Sequence, residues 1–435
     1  MGSFRSIWAC ALVALGAQAQ AQTTSPAGSS PSDAGAGVTQ GAPIGSGLVA
    51  PNAAAPQPNP NLTTNFALPA KRGFYRTEPV FVYPFLGLGA GHNSNITGVN
   101  ANPVGSAFMV LSPRVYADVK ERGNTHSLAY NGNYGRYVDS SADNFNEHEL
   151  IARSLNQFSA RSDLDASAYY LIKQDGRGSV NRPFSAEPDR WRAVGAQAMF
   201  GYGARSAPGR LEFDLALTDK HYQNNRGVTE FFDVATVGLG GKFYYRLGPR
   251  TRAVGEIRFN QYDYKSSRST FDNTEMRYLA GVTWDATAAT SGTIKAGWMT
   301  KNFNSSGSVD FSAPTVDASV RWSPRSYSVF DFVAQRSAMD STGTGVASVN
   351  TSLGALWTHR WKEFISTRAL FSHLNTDFRG VSRTDRLTTM SVGGYYDVRT
   401  WLRLGAEYTH QRRSSSDSNF EFSRDVLLFT VGATL

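Results

Sequence analysis

The chain has 435 residues, with 43 Lys and Arg against 35 Asp and Glu, a formal charge of +8, and a single Cys. Cross-links between its own cysteines therefore cannot hold it together. Beyond the N-terminal segment no run of about eighteen apolar residues occurs, which excludes a membrane-spanning helix. No basic cluster interleaved with aromatics marks a nucleic-acid surface.

Residues 1–21 read as a secretory signal peptide. Basic Met1–Arg5 leads into apolar Ile7–Leu15, and Ala17, Ala19 and Ala21 offer small-residue cleavage sites. Cys10 has too little apolar sequence before it, and too much after it, for a lipid-anchor position. The mature chain is then exported and free of cysteine. Residues 22–72 are low in complexity, as in Ser25-Pro26-Ala27-Gly28-Ser29-Ser30-Pro31-Ser32 and Pro56-Gln57-Pro58-Asn59-Pro60. Too few large apolar side chains are present to offset chain entropy, which predicts a disordered periplasmic linker.

From residue 73 to 435 the pattern becomes one of alternation. Successive strand side chains point to opposite faces, so an apolar residue at every second position draws a ribbon with one apolar face. Candidate strands begin with Val80–Ala90, where Pro84 is tolerable near a strand start, and continue with Ala107–Lys120 and Thr125–Tyr137 across the tight Glu121-Arg122-Gly123-Asn124. Next come Glu147–Phe158, Asp163–Gln174, Trp191–Tyr202, Arg210–Tyr222, Phe231–Arg246 and Thr251–Tyr264. Then follow Met276–Asp285, Thr293–Phe303, Val316–Ser323, Ser326–Gln335, Ser348–Trp361 and Phe364–Phe378. Arg386–Asp397, Trp401–Gln411 and Phe420–Leu435 close the series. The total is about eighteen, an even number as a single-chain transmembrane barrel requires.

The breaks alternate in length. Gly248-Pro249-Arg250, Pro324-Arg325, Lys362-Glu363 and Val398-Arg399-Thr400 are short, whereas 175–189, 223–230, 265–273, 304–310, 338–345 and 414–419 are long and polar. Short periplasmic turns facing long outer loops impose this rhythm on a transmembrane antiparallel β-barrel, the all-β fold class predicted here. Both termini adjoin the short-turn side, so both are expected in the periplasm of a Gram-negative cell, with the barrel in the outer membrane. The last strand carries Leu427, Phe429, Val431, Ala433 and Leu435 on one face. It is read as the closing strand and the signal for the barrel-assembly machinery. Tyr and Trp near strand ends, namely Trp191, Tyr222, Trp284, Trp322, Trp361 and Trp401, fit interfacial girdles.

No catalytic constellation is found. None of the seven His has helical metal-ligand spacing, and no Cys completes a zinc site. Glu147, His148 and Glu149 are adjacent and so alternate faces, as do Ser372 and His373. Gly238, Gly240 and Gly241 lie inside a strand, where small residues permit curvature rather than cradle phosphate. Neither enzyme activity, cofactor, metal nor nucleic-acid partner is expected. Charges on the lipid face at mid-bilayer cost several kcal/mol, so the charged stripes should line the lumen. The candidates are Glu212, Asp214, Lys220, Glu256, Arg258, Lys295, Lys301, Asp331, Arg368, Arg403 and Glu407.

Three motifs resemble the family described as putative β-barrel porin 2: Val82-Tyr83-Pro84-Phe85-Leu86-Gly87-Leu88-Gly89-Ala90-Gly91-His92-Asn93-Ser94-Asn95, Leu111-Ser112-Pro113-Arg114-Val115 and Tyr130-Asn131-Gly132-Asn133-Tyr134. The likeness runs from Phe74 to Leu435 and leaves out the linker; the terminal Leu435 stands where such barrels commonly end in Phe. The resemblance implies an outer-membrane pore that serves as the exit conduit for a secreted exopolysaccharide, in some members with a periplasmic polysaccharide-export protein. Outer-membrane lipid and lipopolysaccharide would surround it. From the residues alone, two other readings stand: a general or solute-specific porin for small hydrophilic molecules, and a structural or adhesive barrel with a closed lumen.

Overall fold

The computed structural model describes residues 75–434 apart from 78, 179–184, 205, 286–288, 306–307 and 341–342. The predicted signal peptide and linker, and the terminal Leu435, lie outside the described residues. The strands in chain order begin with β1 (Tyr75–Thr77), β2 (Val80–Asn93), β3 (Ser106–Glu121), β4 (Asn124–Tyr137), β5 (Phe145–Ser159) and β6 (Ser162–Asp175). They continue with β7 (Asp189–Tyr202), β8 (Gly209–Tyr222), β9 (Val234–Gly248), β10 (Thr251–Tyr264), β11 (Asn273–Trp284), β12 (Thr290–Phe303) and β13 (Phe311–Arg325). Last come β14 (Ser328–Asp340), β15 (Ala347–Lys362), β16 (Ile365–Arg379), β17 (Thr384–Arg399), β18 (Leu402–Ser415) and β19 (Phe422–Thr434). One helical turn, α1 (Arg226–Thr229), sits in the β8–β9 connection. No helix among the described residues is long and apolar enough to cross a membrane.

From β2 onward each strand pairs antiparallel with the next, and β19 returns to pair with β2, from Val426 opposite Asn93 to Thr434 opposite Phe85. The result is a closed barrel of 18 strands. Closure leaves no unpaired ladder on the wall, the condition for a sheet to sit in hydrocarbon. β19 stops short of the start of β2, and β1 fills that gap by pairing Tyr75–Thr77 with Val80–Val82.

The wall alternates as the sequence implies. On β8, Leu211, Phe213 and Leu215 are exposed on the outer face while Arg210, Asp214 and Tyr222 are buried inside. On β19, Leu427, Phe429 and Val431 are exposed and Arg424, Val426 and Leu428 are buried. A water-soluble protein hides its large apolar side chains; here they form the outer belt, so the belt's solvent is lipid. Connections at one end are tight. Between β3 and β4, Arg122 (φ 46°) and Gly123 (φ 88°) both take the left-handed conformation, the two-residue turn whose twist suits a hairpin.

The strands run further toward the long-loop end than alternation suggests. The Arg386–Asp397 prediction grows to β17, and Val316–Ser323 to β13. These extensions, with Thr384 outward on β17 and Ser312 and Pro314 outward on β13, carry no large apolar side chain on the outer face because they lie beyond the apolar belt, where no apolar stripe is required. At the start of β9, Phe231 and Phe232 belong instead to a 3-10 turn.

Candidate functional site: the barrel interior

The eleven charged candidates all sit on strands whose inward positions are set by the same two-residue period. A ladder of ion pairs runs around one wall. Asp214 on β8 lies 3.8 Å from Lys242 on β9 and 3.4 Å from Arg258 on β10. Arg258 is also 3.2 Å from Glu256, which pairs at 2.7 Å with Lys295 on β12. Lys295 reaches Asp317 on β13 at 2.8 Å. The Asp214 side chain is only 1% exposed, and Gly240 opposite makes its room: a Cβ there would stand 2.4 Å from the carboxylate. In a low-dielectric wall such charges persist because each has an opposite neighbour.

The remaining candidates are distributed. Glu212 accepts from Arg210, which also holds Asp163 at 2.7 Å. Asp331 pairs with Arg321, and Arg403 with Asp397. Glu407 accepts from the Tyr395 hydroxyl at 2.8 Å, with Arg368 against the same hydroxyl. Lys220 lies 3.9 Å from Asp175 and over the rings of Trp191 and Tyr222, 4.4 Å from each centroid. That contact corrects one expectation: Trp191 and Tyr222 face inward, not to a girdle, since both donate hydrogen bonds to Asp175. Trp322, Trp361 and Trp401 are exposed, as a girdle requires.

Lys301, the last candidate, introduces a feature that alternation could not show. It is 1% exposed and pairs with Asp340 at 2.6 Å. Asp340 ends β14, yet it also accepts from Tyr264 on β10 (2.8 Å) and Asn273 on β11 (3.2 Å). β14 stays in register with β13 only as far as Arg336 opposite Val316, while β13 continues to Phe311 beside β12. The end of β14 and the start of β15 therefore leave the wall and turn inward. Val349 packs there with Met299 and Ala313, and Ala347–Asn350 are buried at every position.

A second segment closes the same end from the opposite side. Arg177, after β6, pairs with Asp143 of the β4–β5 connection. The next carbonyl, of Gly178, accepts from Arg413 on β18 at 2.8 Å. Arg424 on β19 donates to the carbonyls of Asn95 (2.7 Å) and Arg177 (3.3 Å). Arg177 and Gly178, directly after β6, thus reach past β5, β4, β3 and β2 to β19 and β18. Its approach depends on glycine: Gly98 (φ +63°) and Gly178 (φ +78°) face each other, and a Cβ on Gly98 would be 2.8 Å from the Gly178 Cα. Asp385 beneath is held by Arg383, Arg413 and Ser415. The other end differs. A cavity of about 1120 Å³ opens among the short turns, lined by Arg153, Asp163, Asp165, Arg210, Glu212 and Arg252 among others.

Asp340, Arg177, Asp143, Asp385 and Arg424 were not singled out from the sequence. They lie at strand ends and in loops, where the two-residue period no longer says which way a side chain points. Of the closing-strand residues, Leu427, Phe429 and Val431 are exposed and Ala433 is half-buried. Among the described residues, no cluster of His, Cys, Asp and Glu is arranged to hold a metal.

A closed antiparallel barrel with an apolar outside and a charged inside defines a porin-like outer-membrane β-barrel. The chain belongs to the family described as Putative beta-barrel porin 2, whose sequence model matches residues 79–435. No curated protein matches it. Solved structures resemble it at low identity. They include OccK2 (OpdF) of Pseudomonas aeruginosa in complex with glucuronate, 12% identical over 84% of this chain and 100% of that one (TM-score 0.46). A BenF-like porin from Pseudomonas fluorescens Pf-5 is 9% identical over 81% and 99% (TM-score 0.45). A bacterial polysaccharide outer membrane secretin is 10% identical over 81% and 98% (TM-score 0.37).

Proposed function

We propose that the barrel is a gated exit conduit for a secreted hydrophilic polymer, the exopolysaccharide that the family resemblance implies. The observation that carries the reading is the asymmetry of the lumen. Eighteen strands enclose a width that stays aqueous unless something fills it. The short-turn half holds the cavity of about 1120 Å³, while the long-loop half holds the inward hairpin pinned at Asp340 and the crossing segment pinned at Arg177. A wall of mixed charge offers hydrogen bonds to a sugar chain at every level without one deep well to trap it. Pins made of single ion pairs and hydrogen bonds suit a plug that is displaced when cargo arrives.

In this reading the short turns and both termini face the periplasm, where the vestibule would receive polymer, directly or from a periplasmic polysaccharide-export protein. The linker at 22–72 would lie on the same side. The test is a chromosomal deletion scored for surface polysaccharide, complemented by wild type and by Asp340→Ala. Loss of polymer on deletion, restored by wild type, is the expected result. Unchanged polymer in the deletion strain would reject export and leave a small-solute porin or a structural barrel. Those two separate in planar bilayers: a porin conducts without a trigger.

A further inference from the structure

The outer face carries a pair of arginines that the conduit does not use. On β17 and β18, neighbouring residues part to opposite faces: Asp385 and Arg413 turn inward and pair, while Arg386 and Arg412 turn outward and are exposed. Among the described residues neither outward guanidinium has an ion-pair or hydrogen-bond partner. Arg412 stands opposite Thr388, and Arg386 two residues further along β17 stands opposite Ser414. That diagonal places the two Cβ atoms about 7–8 Å apart, close enough for both long side chains to grip one anion.

The surroundings specify the anion. Directly below, Met390, Val392, Tyr408, Leu427 and Phe429 are exposed apolar side chains on the same face. Around the arginines lie neutral hydrogen-bonding groups, Asn375 and Thr388 on one side and Ser414 and Ser423 on the other. His410 lies two residues down β18 from Arg412, its ring held by Asp425 at 2.8 Å. Two carboxylates flank the pair, each diagonal to one arginine. Asp425, beside Arg412, also accepts from Tyr408 at 2.6 Å, and Asp377, beside Arg386, accepts from Thr384 at 3.3 Å. Each is turned to its own hydroxyl donor rather than to a guanidinium, so both guanidiniums keep their donors for a ligand. Paired guanidiniums match phosphate oxygens in a planar, two-pronged way that ammonium groups do not. Phosphate above, acyl chains below and hydroxyls beside it describe one molecule.

We infer that Arg386 and Arg412 form a binding site on the barrel's outer wall for a phosphorylated glycolipid of the leaflet at the long-loop end. The inference rests on the chain being a membrane barrel and is independent of its cargo. Because the site sits on β17–β19, beside the seam with β2, a bound lipid would brace the wall where the crossing segment docks through Arg413 and Arg424.

The test uses the refolded full chain in detergent micelles, titrated with diphosphoryl lipid A and read by native mass spectrometry. Wild type should retain one lipid, and R386Q/R412Q should lose at least about tenfold in retention, as expected when charge-assisted contacts to phosphate go. R192Q, an exposed outward arginine on β7, should behave as wild type. Phosphate-free lipid, phosphatidylglycerol and inorganic phosphate separate the contributions: the glycolipid should outcompete all three. Equal retention by R386Q/R412Q, or equal binding of the phosphate-free lipid, overturns the site. Heat-shifted mobility on gels verifies that each variant is folded. Flotation with liposomes is run first, and a folded chain that enters no bilayer would reject the membrane barrel itself, and the site with it.

Discussion

Single residues in this barrel matter mainly through the room or charge they leave for a partner across the wall. Gly240 is the clearest case, because its missing side chain is the space in which Asp214 meets Lys242 and Arg258. Gly240→Val should cost about 1–3 kcal/mol by overpacking a pinned carboxylate, measured by urea unfolding in micelles; wild-type stability would contradict the account. Asp233, in the β8–β9 connection, is a charge whose partners decide its behaviour. Burial pushes its carboxyl up, but hydrogen bonds from Arg226 and the Tyr222 amide and the charge of His221 outweigh that and hold it below the ordinary range. A depressed folded value means the loop gains stability above the unfolded carboxylate range of about 4 and loses it as pH falls through the folded value. Protease cleavage within 223–233 should therefore stay slow from about pH 7 to about pH 5 and rise at more acid pH; Asp233→Asn should cleave fast throughout, and a flat profile for wild type would refute the assignment.

At the scale of an element, the closing strand was legible almost entirely from its alternation. Leu427, Phe429 and Val431 project outward because a two-residue period cannot do otherwise once Val426 pairs with Asn93. Phe429 is 56% exposed on the lipid face, so Phe429→Arg should cost about 2–4 kcal/mol if it lies near mid-bilayer and lower the folded fraction in membranes. Thr430→Lys, on the inner face, should insert as wild type; equal insertion of both variants would refute the assignment of faces. The β14–β15 hairpin teaches the opposite lesson. Its sequence reads as two ordinary wall strands, yet the end of β14 turns in with the start of β15, because Asp340, still opposite Ala347, finds Lys301, Asn273 and Tyr264 on strands two to four places along the wall rather than a partner on β13. No local pattern encodes a partner tens of residues away.

For the whole molecule the consequence is a lumen with a cavity among the short turns and, toward the long loops, side chains of β14–β15 and of Arg177 pinned inward. Removing Asp340 takes from buried Lys301 the closer of its two carboxylates, leaving Glu275 at 3.6 Å, and also removes the acceptor of Tyr264 and Asn273. The loss of these contacts, about 1–3 kcal/mol, is enough to loosen the β14–β15 ends without unfolding eighteen strands. Asp340→Ala, alone or with Arg177→Ala, should raise single-channel conductance in planar bilayers over a quiet wild type; identical traces would remove the plug from the mechanism. What the amino-acid sequence determined by itself is the barrel: the strand number, the alternation of turn lengths, and the placing of charge inside and apolar side chains outside. Those follow from a two-residue period, which is local. Which charges meet, and which end is filled, was decided only by the tertiary structure. Closing the sheet brings β6 to β18, the inward turn of the β14 end brings it to β10, and contacts made inside the lumen have no period to read.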